Sequence, residues 1–296
     1  MSTQRRWSGP ALGRLAVMGA GQIGGSVALA ARAAGAVSEV VAWSRTREKL
    51  ERAQALGVID RSAPSAAEAA RGAALVVLAT PVRSLGEIAA EIAPALAPGA
   101  IVIDVGSVKA TAITAVEPRL PPGAYVACHP IAGTERVGPD AASPLLFEGK
   151  RCVLCPTAKS RPEVVATVER LWAAMGAEPV QMNAELHDRV MAAGSHLPHV
   201  AAYALAGTLG AISGDVIEGL RRLPTSSLRD TTRVAASGPV MWRDIFLDNR
   251  AEVLPLIEAL GRQVEALRAA IAASDGKRIE QLLESGKSGR ERLVPG

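Results

Sequence analysis

Aromatic side chains are scarce: two Tyr, two Phe and four Trp in 296 residues. The core must therefore be built from Ala, Val, Leu and Ile. Cysteine is rarer still. Cys128, Cys152 and Cys155 are the whole set, and an odd count with no recognisable signal peptide points to a reducing, cytoplasmic setting. "CVLC" has the spacing of a redox motif, but "KRCVLCP" reads as a strand, where positions three apart face opposite sides. Both thiols are expected to pack. No apolar run approaches the roughly 18 residues of a membrane span. No block of Lys and Arg with interleaved aromatics appears, so the net charge of +4 favours anionic small molecules over nucleic acid. Four histidines occur, with no HExxH or Cys/His spacing, so no metal is expected.

What is present is 49% hydrophobic and 21% charged, the balance of a globular protein of one large or two moderate domains. To residue 183 the chain alternates. Short apolar runs ("LAVMG", "EVVAW", "ALVVLAT", "AIVIDVG", "AYVACHP", "RCVLCP", "EPVQM") are separated in several places by helical stretches such as "TREKLERAQALG". That pattern predicts an α/β domain with a largely parallel sheet covered on both faces; the pairing of the last strands stays open. From 184 to 296 the β runs stop and the period is helical, with Pro198 as a kink or break. Both chain ends, "MSTQRRWSGPALGR" and "SGKSGRERLVPG", read as polar and frayed. The Ala- and Leu-rich faces of the second half exceed what a small bundle buries alone. A homodimer through the helical domain is therefore expected.

"LAVMGAGQIGGS" carries Gly19, Gly21 and Gly24 in G-x-G-x-x-G spacing. It follows an apolar strand and opens an Ala-rich helix, the context of a dinucleotide-binding turn. Gly19, Gly21, Gln22, Ile23 and Gly24 are thus candidate cofactor residues, with the helix N-terminus facing the pyrophosphate. The next strand end lacks the acid that would hold the ribose of NAD. "VAWSRTREK" places Ser44 and Arg45 there instead. A carboxylate would repel a 2′-phosphate, whereas a hydroxyl and cations accept it, so NADP is favoured and NAD possible.

Ligands of open α/β sheets lie beyond the carboxyl ends of the strands. Three further segments end there. "ATPVRS" brings Thr80 and Pro81 to the nicotinamide side, "DVGSVKA" brings Ser107 and Lys109, and "CHPIAGTE" brings His129 and Thr134. Singly, each has a plain reading: Ser107 caps the helix "VKATAI", Lys109 is solvated, His129 is structural. Jointly, at one sheet edge, they point to chemistry.

"GAGQIGGS", "DVGSVK", "HPIAGTE", "SHLPH" and "RDTTRVAASGPVMWRDIFLDN", in this order over nearly the whole chain, resemble the prephenate/arogenate dehydrogenase family. The resemblance implies a Rossmann-type dinucleotide-binding domain followed by an all-α dimerisation domain, and oxidative decarboxylation of a cyclohexadiene in tyrosine biosynthesis. It implies His129 as the base for the substrate's C4 hydroxyl, Ser107 as its hydrogen-bonding partner, and Arg233 and His199 on the substrate carboxylates. Lys109 adds positive potential near the ring carboxylate. Glu135 and Asp230 are candidate partners of Arg233, with Glu135 as a gate. Arg229 shares the Arg233 face if that stretch is helical. His187 and His196 are either helix-packing residues or part of the site. The family's NAD-using pattern is departed from at Ser44-Arg45. No regulatory domain is expected after the helical half, nor a mutase-like one before the first strand, so any tyrosine inhibition would act at the active site. Prephenate is preferred to arogenate as substrate. The rivals are a β-hydroxyacid or imine-reducing enzyme of the same architecture, or a non-catalytic NADP sensor. The former would need a Lys in "DRVMAAGSHLPHV", and the latter would not need His129, Ser107 and Arg233 together.

Overall fold

A computed structural model describes residues 6–134 and 136–293. The strands are β1 (Arg14–Met18), β2 (Glu39–Trp43), β3 (Arg61–Ser62), β4 (Leu75–Leu78), β5 (Ile101–Asp104), β6 (Tyr125–Pro130), β7 (Arg151–Cys155) and β8 (Glu178–Gln181). They form one eight-stranded sheet in the order β3-β2-β1-β4-β5-β6-β7-β8. Every pair is parallel except β6 with β7. All seven apolar runs became strands. β3 was not legible because it is two residues long and exposed on both.

The helices on the sheet are α1 (Gln22–Ala33), α2 (Arg47–Ala55), α3 (Ala66–Ala70), α4 (Leu85–Ile92), α5 (Lys109–Val116) and α6 (Pro162–Ala174). The inner strands β1, β2, β4, β5, β6 and β7 are buried on both faces, which is why they read as continuous apolar runs. Alternation still sorts them: Leu15 and Val17 enter one core layer, Ala16 and Met18 the other. Fully burying such a side chain is worth about 1.5–3 kcal/mol. Cys152 and Cys155 fall in opposite layers, and all three cysteines are free and buried. One scarce aromatic pair anchors the first layer, Phe147 standing edge-on to Trp172 at 5.2 Å.

After β8 come α7 (Ala184–Met191), α8 (Leu197–Gly210), α9 (Asp215–Arg222), α10 (Ser226–Thr232) and α11 (Pro239–Asp248). Pro198 does not break the helix as a simple kink. A π-helical turn, Ala192–His196, precedes it, and the chain runs on without a break as α8; a π turn beside a proline is one way a helix absorbs the missing N–H.

Residues 1–249 form one compact unit and 250–296 another. The second is a helical pair, α12 (Arg250–Ala272) and α13 (Gly276–Leu293), reversing at Ser274 with φ of 49°. The chain end expected to fray is therefore helical through Leu293. At the other end, the Trp7 and Leu12 amides bond the Ala34 and Ala36 carbonyls just beyond α1, so the stretch before β1 is anchored in that part. Among the described residues no helix is long and apolar enough to cross a membrane.

Candidate active site

The glycine loop between β1 and α1 has the shape its spacing promised. Gly19 has φ of 104°, and a Cβ there would lie 2.6 Å from the Ala79 carbonyl oxygen. A Cβ on Gly24 would overlap the Gly19 carbonyl oxygen and crowd Ala79 and Val17. Gly21, by contrast, has open space where a Cβ would stand. It is the N-cap of α1 with no side chain to cap the helix amides. Open room above uncapped amides is what a pyrophosphate requires, so these residues fit a dinucleotide.

Gln22 and Thr134 clasp the first and fourth loops together. The Gln22 amide donates to Thr134 Oγ1 at 2.7 Å, and the Thr134 N–H donates to Gln22 Oε1 at 3.0 Å. Ile23 is next in α1 and packs against the core. The turn after β4 is closed by Ser84, whose hydroxyl bonds Thr80 Oγ1 at 3.0 Å and the Pro81 carbonyl at 2.8 Å. At the end of β2, Ser44 Oγ accepts from the Thr46 N–H at 3.3 Å. Arg45 is not a free cation, because Glu87 at the start of α4 stands 3.5 Å away and both side chains are exposed.

The third and fourth loops share one buried carboxylate. Asp104 ends β5. Its Oδ2 accepts from the Gly106 N–H at 2.8 Å, and its Oδ1 accepts from the Tyr125 hydroxyl at 2.8 Å and the Cys128 N–H at 3.2 Å. Lys109 Nζ pairs with Asp104 and donates to the Cys128 carbonyl at 2.7 Å. This corrects the placement of Lys109 near the substrate. Its ammonium has no solvent exposure and is used within the protein, below the site rather than in it. The Tyr125 hydroxyl is raised well above its ordinary pKa, by burial first and then by the Asp104 charge.

Ser107 does not cap α5. The N-cap is Val108, and the capping is supplied from α7. Asp188 Oδ1 accepts from the Lys109 N–H at 2.8 Å and Oδ2 from the Ala110 N–H at 2.9 Å. The Ser107 hydroxyl makes no hydrogen bond among the described residues and is only half-buried. His129, one strand over, has Nδ1 at 2.8 Å from His187 Nε2, and His187 Nδ1 is 2.7 Å from Asp188 Oδ1. Burial lowers the His129 pKa well below 6.5, and the Lys109 charge lowers it further. At neutral pH its imidazole is uncharged.

The other two histidines join through Asn249 and Trp242. Asn249 Nδ2 donates to the Asp188 carbonyl at 2.8 Å and lies 3.0 Å from His196 Nδ1. Burial pushes the His196 pKa down to about 4. The His196 ring meets Trp242 edge-on at 5.9 Å, and His199 stacks on the same indole at 3.5 Å. The π turn thus brings both histidines onto one tryptophan. His199 Nδ1 bonds the Ser195 carbonyl at 2.8 Å. Its pKa is lowered by burial first, and the Arg233 charge lowers it too. Arg233 begins a 3₁₀ turn after α10, is exposed, and makes no ion pair or hydrogen bond among the described residues. Asp230 forms no ion pair with it, and Arg229 lies within α10 while Arg233 lies beyond its end. Glu135, expected as a gate, lies outside the described residues.

The structure therefore links every histidine of the chain through one connected set of contacts that runs by way of Asp188, Asn249 and Trp242, with the Arg233 charge felt at His199. Sequence reasoning missed Asp104, Asp188, Asn249 and Trp242. Asp104 left one signal, an acid closing a fully apolar strand. The others bond partners 53 to 79 residues away in the chain, or stack on them, and no local pattern marks that.

The nucleotide-binding-domain model of prephenate dehydrogenase matches residues 27–181, and the dimerization-domain model of the same enzymes matches 183–285. A cyclohexadienyl dehydrogenase of Zymomonas mobilis is 38% identical over 93% of this chain and 94% of its own length. A prephenate dehydrogenase of Bacillus subtilis is 31% identical over 93% of this chain and 74% of its own. Among solved structures, prephenate dehydrogenase of Aquifex aeolicus in complex with hydroxyphenyl propionate and NAD+ superposes with a TM-score of 0.85 at 33% identity, covering 96% of this chain and 99% of that one. The arogenate dehydrogenase of Synechocystis gives a TM-score of 0.74 at 26% identity, covering 95% and 100%. The glycine loop ahead of residue 27, the parallel sheet and the helical half following it agree with that likeness, and the chain belongs to the prephenate dehydrogenase family of nicotinamide-dependent oxidoreductases.

Proposed function

We propose that the protein is a prephenate dehydrogenase, converting prephenate and NAD(P)+ to 4-hydroxyphenylpyruvate, CO2 and NAD(P)H. The observation that carries this is an uncharged His129 near the end of β6 and an unspent Ser107 hydroxyl just past the end of the neighbouring parallel strand β5, at the cofactor edge of the sheet. Prephenate bears a hydroxyl at ring C4, a ring carboxylate and a pyruvyl carboxylate. His129 takes the proton of the C4 hydroxyl, and Ser107 hydrogen-bonds and orients the same oxygen. A bound dinucleotide supplies the acceptor for the C4 hydride. The dienone so formed draws in the electrons of the ring carboxylate's C–C bond, and loss of CO2 leaves an aromatic ring. General-base assistance of this kind is worth about 10²–10⁴ in rate.

Arg233 supplies an unpaired guanidinium, whose fork suits a carboxylate. His199 stacks on Trp242 and feels the Arg233 charge. Thr134 Oγ1 accepts from Gln22 and keeps its own O–H to donate. NADP is favoured over NAD because no acid stands at the end of β2, although Glu87 partly occupies Arg45. The helical half forms a homodimer. The exposed Leu205, Val216 and Leu223, together with the groove of Leu209, Ile217, Leu220 and Leu228 between α8, α9 and α10, support this reading. The unpaired thiols suit a cytoplasmic setting. Arogenate is the second reading, since the related chains carry both substrates' names. Absorbance at 340 nm, with prephenate or arogenate and each nicotinamide cofactor in turn, tests the proposal. Turnover of prephenate with NADP+ leading is expected, and turnover of neither cyclohexadiene would overturn it.

A further inference from the structure

The four histidines sit in one cluster, yet only two of them face a substrate in the reading above. The remaining pair of contacts around His129 has a definite donor order. Asp188 is the fixed end. Two backbone amides of α5 donate to its carboxylate, and Asn249 holds its main-chain carbonyl. A carboxylate so bonded only accepts. The proton between Asp188 Oδ1 and His187 Nδ1, 2.7 Å apart, therefore belongs to His187. His187 is 1% exposed, and the buried Lys109 cation already stands in the same cluster. The Asp188 charge is drawn upon by the N-terminus of α5. An imidazole with its one proton on Nδ1 offers Nε2 as a lone pair. That lone pair is 2.8 Å from His129 Nδ1, which must then carry its proton. The consequence falls on the far side of the His129 ring, where Nε2 is left without a proton.

We propose that His187 and Asp188 are positioning residues that hold His129 in the Nδ1–H tautomer, presenting Nε2 as the proton acceptor. The inference rests on His129 being the base. When His129 takes the hydroxyl proton at Nε2, the new imidazolium keeps Nδ1–H bonded to His187 Nε2. The Asp188 carboxylate then balances the charge through that ring. No proton has to leave by this route. His187 thus does for His129 what a buried carboxylate does directly for a catalytic histidine elsewhere.

The test is nitrogen NMR on the full chain labelled with ¹⁵N-histidine, in which four residues give the whole spectrum. The wild-type protein at neutral pH is expected to show His129 and His187 each protonated on Nδ1 and bare on Nε2. A His187→Leu variant, checked for wild-type melting behaviour, is expected to shift His129 toward the Nε2–H tautomer and lower kcat by about 10²-fold, within the span of general-base catalysis, with dinucleotide affinity unchanged. His187→Gln is expected to restore part of kcat, because its carboxamide can accept from Nδ1–H and donate to Asp188 at once. A wild-type His129 protonated on Nε2, or a doubly protonated His187, would overturn the proposal, and the wild-type measurement stands even if a variant fails to fold. Loss of kcat in His129→Asn with none in His187→Leu would reject the positioning role while leaving the base. The inferred tautomer with full activity in His129→Asn would reject the base instead.

Discussion

Lys109 and Asp104 form an ion pair in which neither side chain has exposed surface, and that one carboxylate also holds the amides of Gly106 and Cys128. The residues after those two are Ser107 and His129. A buried pair broken on one side leaves an uncompensated charge, at a cost of about 3–5 kcal/mol. Lys109→Met should lose stability of that order in urea denaturation. Combined with Asp104→Asn, which keeps an acceptor for Tyr125 and Cys128, it should lose less. Unchanged stability with a raised KM for the cyclohexadiene would return Lys109 to the substrate.

Acid should destabilise the fold through His196. Its folded pKa of about 4 lies below the ordinary 6.5, so the unfolded chain binds a proton that the folded chain refuses. The stabilisation is fully present above pH 6.5 and is lost as pH falls from there through about 4. A shift of that size is worth on the order of 3 kcal/mol. Denaturation at pH 7 and pH 4.5 should show the loss, and His196→Gln should flatten it. Equal pH slopes in both proteins would contradict the assignment.

The acid limb of kcat/KM reports the free enzyme's base. His129 is held below 6.5 by burial first and then by the Lys109 charge, while Asp188 faces His187 from behind. The limb should therefore lie below pH 6.5, with activity kept in mildly acidic buffer. A midpoint above 6.5 would mean that the Asp188 charge outweighs burial and Lys109.

Cofactor choice should respond to Glu87. The Arg45–Glu87 pair is exposed, and exposed pairs contribute little. Glu87→Gln should raise the NADP-to-NAD ratio of kcat/KM by about fivefold at most, and Arg45→Ala should lower it. A ratio indifferent to both would place the discrimination elsewhere, with Ser44 the next position to vary.

Glycine 24 gives a sharper structural test. With its missing Cβ occupied by the Gly19 carbonyl, Ala79 and Val17, Gly24→Ala forces helix from strand, and such overpacking typically costs 1–3 kcal/mol. Gly21→Ala meets open space, so it should leave the melting temperature nearly unchanged while weakening dinucleotide binding. Equal effects of the two on melting would contradict the division of roles.

The sheet was legible because its inner strands are buried on both faces and most of them run into a glycine or proline turn. The two-residue β3 and the antiparallel turn of β7 were not, since neither alters an apolar run. His129, Ser107 and Arg233 could be singled out because strand ends and a family likeness marked them. The fate of Lys109 could not, because a lysine in a first helical turn is usually solvated and only Asp104, Cys128 and the fold around them say otherwise. His187 was an open choice between packing and chemistry for the same reason: its partners arrive from β6 and from its own neighbour, Asp188. The substitution of Asp188 for a local helix cap, from 78 residues away, is also invisible to a reading of "GSVKA".

The central claim is that His129 takes the hydroxyl proton. Steady-state turnover of prephenate by His129→Asn, followed at 340 nm beside a fluorescence titration of the dinucleotide, tests it most directly. The account predicts kcat lower by about 10²–10⁴-fold with dinucleotide affinity unchanged; a kcat near that of the unsubstituted protein would contradict it.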